Sequence, residues 1–138
     1  MPYLPELASI GPDVHTHEFW AHCARRELRF QRCGACGRFR HPPRSGCPHC
    51  GATDVAWVRV EGRGRVFTYT VVHHAAFPSL AARVPYNVVT VEFEDAPGIR
   101  LITNVLDVRP EDLRIGMAVE VAWDEPTPGV VLPRVRPA

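Results

Sequence analysis

The sequence predicts a mainly β protein: an N-terminal helix, a zinc ribbon with rubredoxin-like knuckles, then a five- to six-stranded barrel of the OB type. Three observations predict it. Four cysteines fall into two CxxC pairs, six short segments are enriched in β-branched or aromatic residues, and only one helix-forming stretch interrupts those segments. Strand count alone does not fix closure, so a sandwich is the competing architecture. The segments divide as 1–27 (arm and helix), 28–53 (ribbon) and 54–138 (barrel).

Residues 2–12 contain Pro2, Pro5 and Pro12 and form no regular pattern, which reads as an irregular lead-in or docking arm. A helix is expected from Thr16, with Thr16 as N-cap, Glu18 at the positive helix end, and an apolar stripe of Phe19, Trp20, Cys23 and Ala24. Leu28 to Arg32 alternates and is expected to be the strand that delivers the first CxxC. Beyond the second CxxC, the segments VAWVRVEG, RVFTYTVVHH, YNVVTVEFED, IRLITNVL, AVEVAW and VVLPRVR read as strands. RPEDLRIG places Pro110 inside a helical turn that Gly116 stops.

Composition removes several functions. All 16 basic residues are arginines, so the chain alone supplies no Schiff-base lysine for a class I aldolase or pyridoxal-phosphate enzyme, and no P-loop. Residues 1–91 carry 11 Arg against 6 acids and residues 92–138 carry 5 Arg against 9, leaving halves of about +5 and −4. Four thiolates on one Zn²⁺ lower the formal total from +1 to −1, which gives nonspecific polyanion binding little support. No run of 18 apolar residues and no signal-peptide pattern occur, so a soluble cytoplasmic protein is expected.

The chemistry-bearing residues are Cys33, Cys36, Cys47 and Cys50, in the spacing C-x2-C-x10-C-x2-C. A CxxC turn sets two thiolates on one side of a metal, and Gly37 and Gly51 after each pair allow the backbone to turn round it. Zinc is the expected ion, with iron the alternative that such knuckles also hold. Four thiolates complete a tetrahedron, so the role is structural and Lewis-acid hydrolysis at this metal is not expected. Arg32, Arg38, Arg40 and Arg44 flank the cysteines, either to offset thiolate charge or to form a phosphate groove. Cys23 is expected to be a small buried apolar residue. His73, Arg83 and Tyr86 surround the longest inter-strand loop and are the candidate contacts to acyl-CoA or to a partner's active site. No GxSxG, HExxH or other nucleophile motif appears, so autonomous catalysis is not expected.

The order of an FW helix, LRFQRCGACGRFRHPPRSGCPHCG, Trp57, VEGRGRVFTYTVVHH, PYNVVTVEFED and DLRIGMAVEV resembles the rubredoxin-like zinc-ribbon plus OB-fold proteins of acyl-CoA metabolism. The resemblance runs from about Phe19 to Val121 and rests on the four cysteines, the His41-Pro42-Pro43-Arg44 linker, Gly62-Arg63-Gly64 and Gly116. It implies a noncatalytic accessory subunit, working beside a thiolase-fold enzyme in a hetero-oligomer, with acyl-CoA handled through that partner. A retro-aldolase of steroid side-chain degradation is the preferred partner, and a hot-dog hydratase domain belongs to some such assemblies. The proline-rich start is also compatible with a domain of a longer fused protein. Two other functions compete: an OB-fold module for single-stranded nucleic acid, using Trp57, Phe67 and Tyr69 for stacking, and a free acyl-CoA carrier. Helix 16–26 and the loop from Ala75 to Pro85 are the expected interface.

Overall fold

A computed structural model describes residues 11–138. The proline-rich lead-in expected at residues 2–12 therefore lies almost wholly outside the described residues. The helix α1 spans His17–Ala24, and Thr16 precedes it without making the expected side-chain cap. Asp13 serves instead: its Oδ1 accepts the backbone N–H groups of His15 and Thr16, both at 2.8 Å, and its carbonyl accepts His17 N–H at 3.0 Å. The Thr16 N–H holds the Asp13 carboxyl below its ordinary range, as an anion at a helix start should be held. Phe19 and Cys23 are buried and Trp20 is half-buried, whereas Ala24 faces solvent, so the apolar stripe is one residue narrower than expected.

Two sheets follow. In the first, β1 (Arg29–Cys33) lies between β2 (Phe39–Arg40) and β3 (Val55–Arg59), both antiparallel to it. The sequence groups β3 with the barrel segment 54–138, yet it pairs along its whole length with β1, from Arg29 opposite Arg59 to Cys33 opposite Val55. Alternation identifies a strand but not its neighbour.

The second sheet has five strands in the order β6-β5-β4-β7-β8: β4 Arg63–Val72, β5 Tyr86–Phe93, β6 Ala96–Thr103, β7 Ala118–Thr127 and β8 Val130–Pro137. All neighbours are antiparallel. The ends meet through a parallel bridge between Val105 and Val135, with Leu106 N–H donating to Val135 C=O at 2.7 Å. Antiparallel neighbours closed by one parallel contact make the sheet an OB-type barrel rather than a sandwich. A short 3-10 turn at Pro110–Asp112 separates β6 from β7, as RPEDLRIG predicts. Strand β7 runs past the predicted AVEVAW to Thr127, and its pairing with β8 shifts register around Pro126, which has no N–H to donate.

The two sheets and α1 share one core. Phe30 of β1 is fully buried, with ring centroids 6.4 Å from Phe19 of α1 and 5.6 Å from Phe93 of β5. Leu28, Val60, Val66, Val91, Leu113 and Val135 continue the same cluster into the barrel. Among the described residues, no helix is long and apolar enough to cross a membrane.

Candidate metal centre

The ribbon builds its metal site from two equivalent turns. Cys33 N–H donates to Arg38 C=O and Gly37 N–H returns to Cys33 C=O; Cys47 N–H donates to Ala52 C=O and Gly51 N–H returns to Cys47 C=O, all at 2.9 to 3.0 Å. Gly37 and Gly51 adopt φ of 75° and 77°, left-handed values that glycine reaches without a Cβ clash. Each turn thereby points two sulfurs the same way. The four Sγ atoms lie within 4.8 Å of one another, with Cys33–Cys50 and Cys36–Cys47 at 3.6 Å. A tetrahedron with metal–sulfur bonds of about 2.3 Å has edges of about 3.8 Å, so the four thiols fit one tetrahedral ion.

Electrostatics agree with the geometry. The Cys36 and Ala35 N–H groups pull the Cys33 thiol below its ordinary pKa, and those of Cys50 and His49 bring Cys47 down to about 6. Ala52 N–H acts likewise on Cys50, but contacts with Cys33, Cys47 and Cys36 outweigh it and push Cys50 up to about 11. Ionising all four thiols together concentrates charge that a dication relieves.

The neighbours of the centre have other duties. Arg40 is buried rather than part of a phosphate groove: its Nε donates to Gln31 Oε1 at 2.9 Å and its Nη2 to Arg44 C=O at 3.2 Å. Gln31 Oε1 also accepts Arg44 N–H at 2.9 Å, so Gln31 and Arg40 together fix the linker between the two turns. Arg38 meets His49 Nδ1 at 2.7 Å, and Arg32 lies over the Phe39 ring. His41 sits with its ring 5.1 Å from Phe19 and 5.2 Å from Phe30, where burial brings its pKa down to about 4. Cys23 is fully buried and its thiol is pushed up to about 12 by desolvation, which suits a packing residue.

The loop candidates separate. Arg83 and Tyr86 line one cleft of about 370 Å³ with Asn87, Asn104, Asp124 and Arg134, whereas His73 lies outside it. Val72 pairs with Tyr86, so His73 falls just beyond the paired strand and is exposed. The floor of this cleft is a hydrogen-bonded clasp over the barrel closure: Asn87 Oδ1 accepts Val105 N–H at 2.8 Å, and buried Arg134 reaches both Asn104 and Asp124. Sequence reasoning missed this clasp, although an arginine inside VVLPRVR and asparagines at strand ends were its signal. Phe77 in the loop is 53% exposed, as an interface residue would be, but Ile102 and Ile115 are exposed to 71% and 70% outside both predicted surfaces.

Ribbon and barrel together define a zinc-ribbon OB-fold protein. Residues 20–56 match the rubredoxin-like zinc ribbon domain of ChsH2, and residues 57–124 match the C-terminal OB-fold domain of ChsH2. A DUF35 domain-containing scaffold protein of Methanocaldococcus jannaschii is 36% identical over 106 residues, covering 75% of this chain and 73% of the relative. The chain belongs to this DUF35 family of ChsH2-type ribbon and OB-fold proteins, and it carries the family's structural zinc. A probable enoyl-CoA hydratase alpha subunit of Thermomonospora curvata is 44% identical over 121 residues, covering 87% of this chain. The chain spans only 37% of the length of that relative. A solved Ltp2-ChsH2(DUF35) aldolase chain superposes with a TM-score of 0.84 at 36% identity, covering 94% of this chain and 98% of that one.

Proposed function

We propose that this protein is a noncatalytic accessory subunit that binds and stabilises a thiolase-fold acyl-CoA enzyme, a retro-aldolase of steroid side-chain degradation. The observation that carries this reading is the match, across nearly the whole of both chains, to a chain of the Ltp2-ChsH2(DUF35) aldolase. The scaffold proteins among its relatives and the hydratase alpha subunits that contain a similar segment agree with an assembly role. The chain's own chemistry agrees too: four thiolates fill the zinc tetrahedron, leaving no position for substrate. In such a complex the partner would perform carbon–carbon cleavage beside the thioester, and this subunit would cover its acyl-CoA site and exclude water. Arg83 and Tyr86 are the side chains we assign to that contact, with His73 outside their cleft. A hot-dog hydratase domain is the further component we expect, and the cytoplasm the compartment.

The nucleic-acid alternative needs open aromatic faces. Phe67 is 41% exposed, but the Arg100 guanidinium already covers its ring at 3.5 Å; Tyr69 packs on the core and Trp57 against His22. These contacts oppose a stacking platform.

The test is capture from the native host with the tagged, zinc-loaded chain, followed by assay of a β-hydroxyacyl-CoA. Stoichiometric recovery of a thiolase-fold enzyme that cleaves the substrate, with the chain alone inactive, is the expected result. Cleavage by the isolated chain would end the accessory reading. Capture of a hydratase without a thiolase-fold enzyme would end the retro-aldolase assignment.

A further inference from the structure

The four zinc ligands differ in their access to solvent. Cys33 and Cys47, the first cysteines of the two turns, are 2% and 5% exposed, whereas Cys36 and Cys50, the second of each, face solvent. The sulfurs also meet across the site: Cys33 lies 3.6 Å from Cys50, and Cys36 lies 3.6 Å from Cys47. Each of these contacts joins an exposed sulfur on one turn to a buried sulfur on the other.

Cys36 is open on a second side. It lines a cleft of about 420 Å³ beside the first turn, where Gly34, Ala35, Gly37 and Ala56 supply no bulk to shield the sulfur. Arg32 is the one long side chain on this cleft among the described residues. A nearby cation favours a thiolate over a thiol, and it also favours the oxygen anion that leaves when a thiolate attacks a hydroperoxide. Cys47 is placed differently: it is buried, and its Sγ accepts the His49 N–H at 3.4 Å while facing Cys36. An exposed sulfur backed by a buried one within reach is the arrangement of an attacking and a resolving cysteine.

We propose that Cys36 and Cys47 form a peroxide-reactive pair whose oxidation closes a disulfide between the two turns and releases the zinc. The Cys36 thiolate attacks the terminal oxygen of a hydroperoxide; the O–O bond breaks, hydroxide or alkoxide leaves, and Cys36 becomes a sulfenic acid. The Cys47 thiolate then attacks the Cys36 sulfur, the S–O bond breaks and hydroxide leaves. In sum two thiolates lose two electrons and the hydroperoxide gains them. With two of its four thiolates gone, the site no longer holds the ion. The new disulfide still ties one turn to the other, so the oxidised ribbon stays cross-linked, and a dithiol reductant restores the ligands by exchange. The inference rests on the ribbon and not on the accessory-subunit reading, and it is tested without a partner, so either can fail alone.

The experiment treats the zinc-loaded full chain with substoichiometric hydrogen peroxide, follows the released metal with a chromogenic chelator, and maps disulfides by mass spectrometry of unreduced peptides. About one zinc should leave per peroxide consumed, and the first disulfide should be Cys36–Cys47, with Cys23 unmodified. Dithiothreitol followed by zinc should restore the metal content. Cys36→His retains a zinc ligand that forms no disulfide, and it should slow release at least about tenfold, with Cys50→His slowing it less. Should Cys36→His fail to hold zinc, dimedone trapping on the wild-type chain replaces it, and the label should fall on Cys36. Retention of zinc under peroxide, a first disulfide within one turn, a dimedone label on Cys33 or Cys47, or unchanged release from zinc-loaded Cys36→His would each overturn the assignment.

Discussion

Replacing Gly64 by alanine should destabilise the barrel more than any substitution at an open glycine. A Cβ at Gly64 would stand 2.1 Å from the Glu92 carbonyl oxygen and 3.1 Å from Val91 Cγ1 on the paired strand β5. That oxygen belongs to the backbone, so relief requires β4 and β5 to separate by about 1 Å or more to regain ordinary contact. Such a shift weakens the ladder where Gly64 faces Phe93 and Arg65 faces Glu92. Overpacking of about 1–3 kcal/mol and a hydrogen bond or two at about 1 kcal/mol each give about 3 kcal/mol. At about 2 cal/mol/K of unfolding entropy per residue, a chain this size should melt about 10 °C lower. Gly98→Ala is the graded comparison, because its φ of 86° is strained for alanine but nothing lies within 4 Å, for a cost of about 1 kcal/mol. Gly46→Ala meets no neighbour and no positive φ, and should melt with the wild type. Thermal unfolding followed by circular dichroism at saturating zinc measures all three. A Gly64→Ala protein that melts with Gly46→Ala would refute the close-approach account of the GRG segment.

Zinc removal should expose four thiols to alkylation at pH 8 and leave Cys23 unmodified until the chain unfolds, because burial pushes that thiol up to about 12; five reactive thiols in the folded apoprotein would contradict this, as counted by mass spectrometry. His41 is held down at about 4 in the fold against 6.5 for an exposed histidine, so the unfolded chain binds more protons between those values and stability must fall as pH drops from 6.5 towards 4. His41→Phe should flatten that part of the pH profile in denaturant titrations, and identical slopes for both proteins would exclude His41 as the source. Phe30→Ala removes a fully buried ring that joins helix, ribbon and barrel, and should cost about 3–5 kcal/mol. It should lower the barrel's melting and the temperature of zinc release together, whereas movement of only one would mean that the two units unfold separately.

Local chemistry was readable directly from the chain. Cysteine spacing announces the metal site because ligand geometry demands two sulfurs on one tight turn, and the alternation in RVFTYTVV and YNVVTVEF follows from one face meeting the core. What escaped is set by partners distant in sequence. VAWVR reads as a strand, but nothing in it says that β1 rather than β4 is its neighbour. Asp13 and Thr16 are both cap-forming residues, and only the backbone path decides that Asp13 caps. Arg40 looks like one more exposed arginine in a basic ribbon, and its burial follows from Gln31 lying on the adjacent strand. His73, Arg83 and Tyr86 were grouped by nearness in the chain, whereas strand register sends His73 past the end of the pair and leaves the other two in a cleft with Asn104 and Arg134.

The placement of Phe30 has a consequence for how a zinc without catalytic vacancy can matter to an assembly. Phe30 lies three residues before Cys33 on one strand, and its ring reaches Phe93, the last residue of β5 before the turn that leads into β6. Strand β3 pairs with β1 and then continues through Val60 and Gly62 into β4, so the same short stretch is bonded to the ribbon at Leu28 and to the barrel at Val121. Ribbon and barrel therefore cannot rotate against each other without breaking that stretch or opening the Phe19–Phe30–Phe93 stack. Clamping the ribbon with zinc reduces the conformations open to β1, and through β1 it fixes the orientation of barrel surfaces remote from the metal. A subunit whose contribution is to present a surface in one geometry gains from that rigidity, since less ordering entropy is lost when the partner docks.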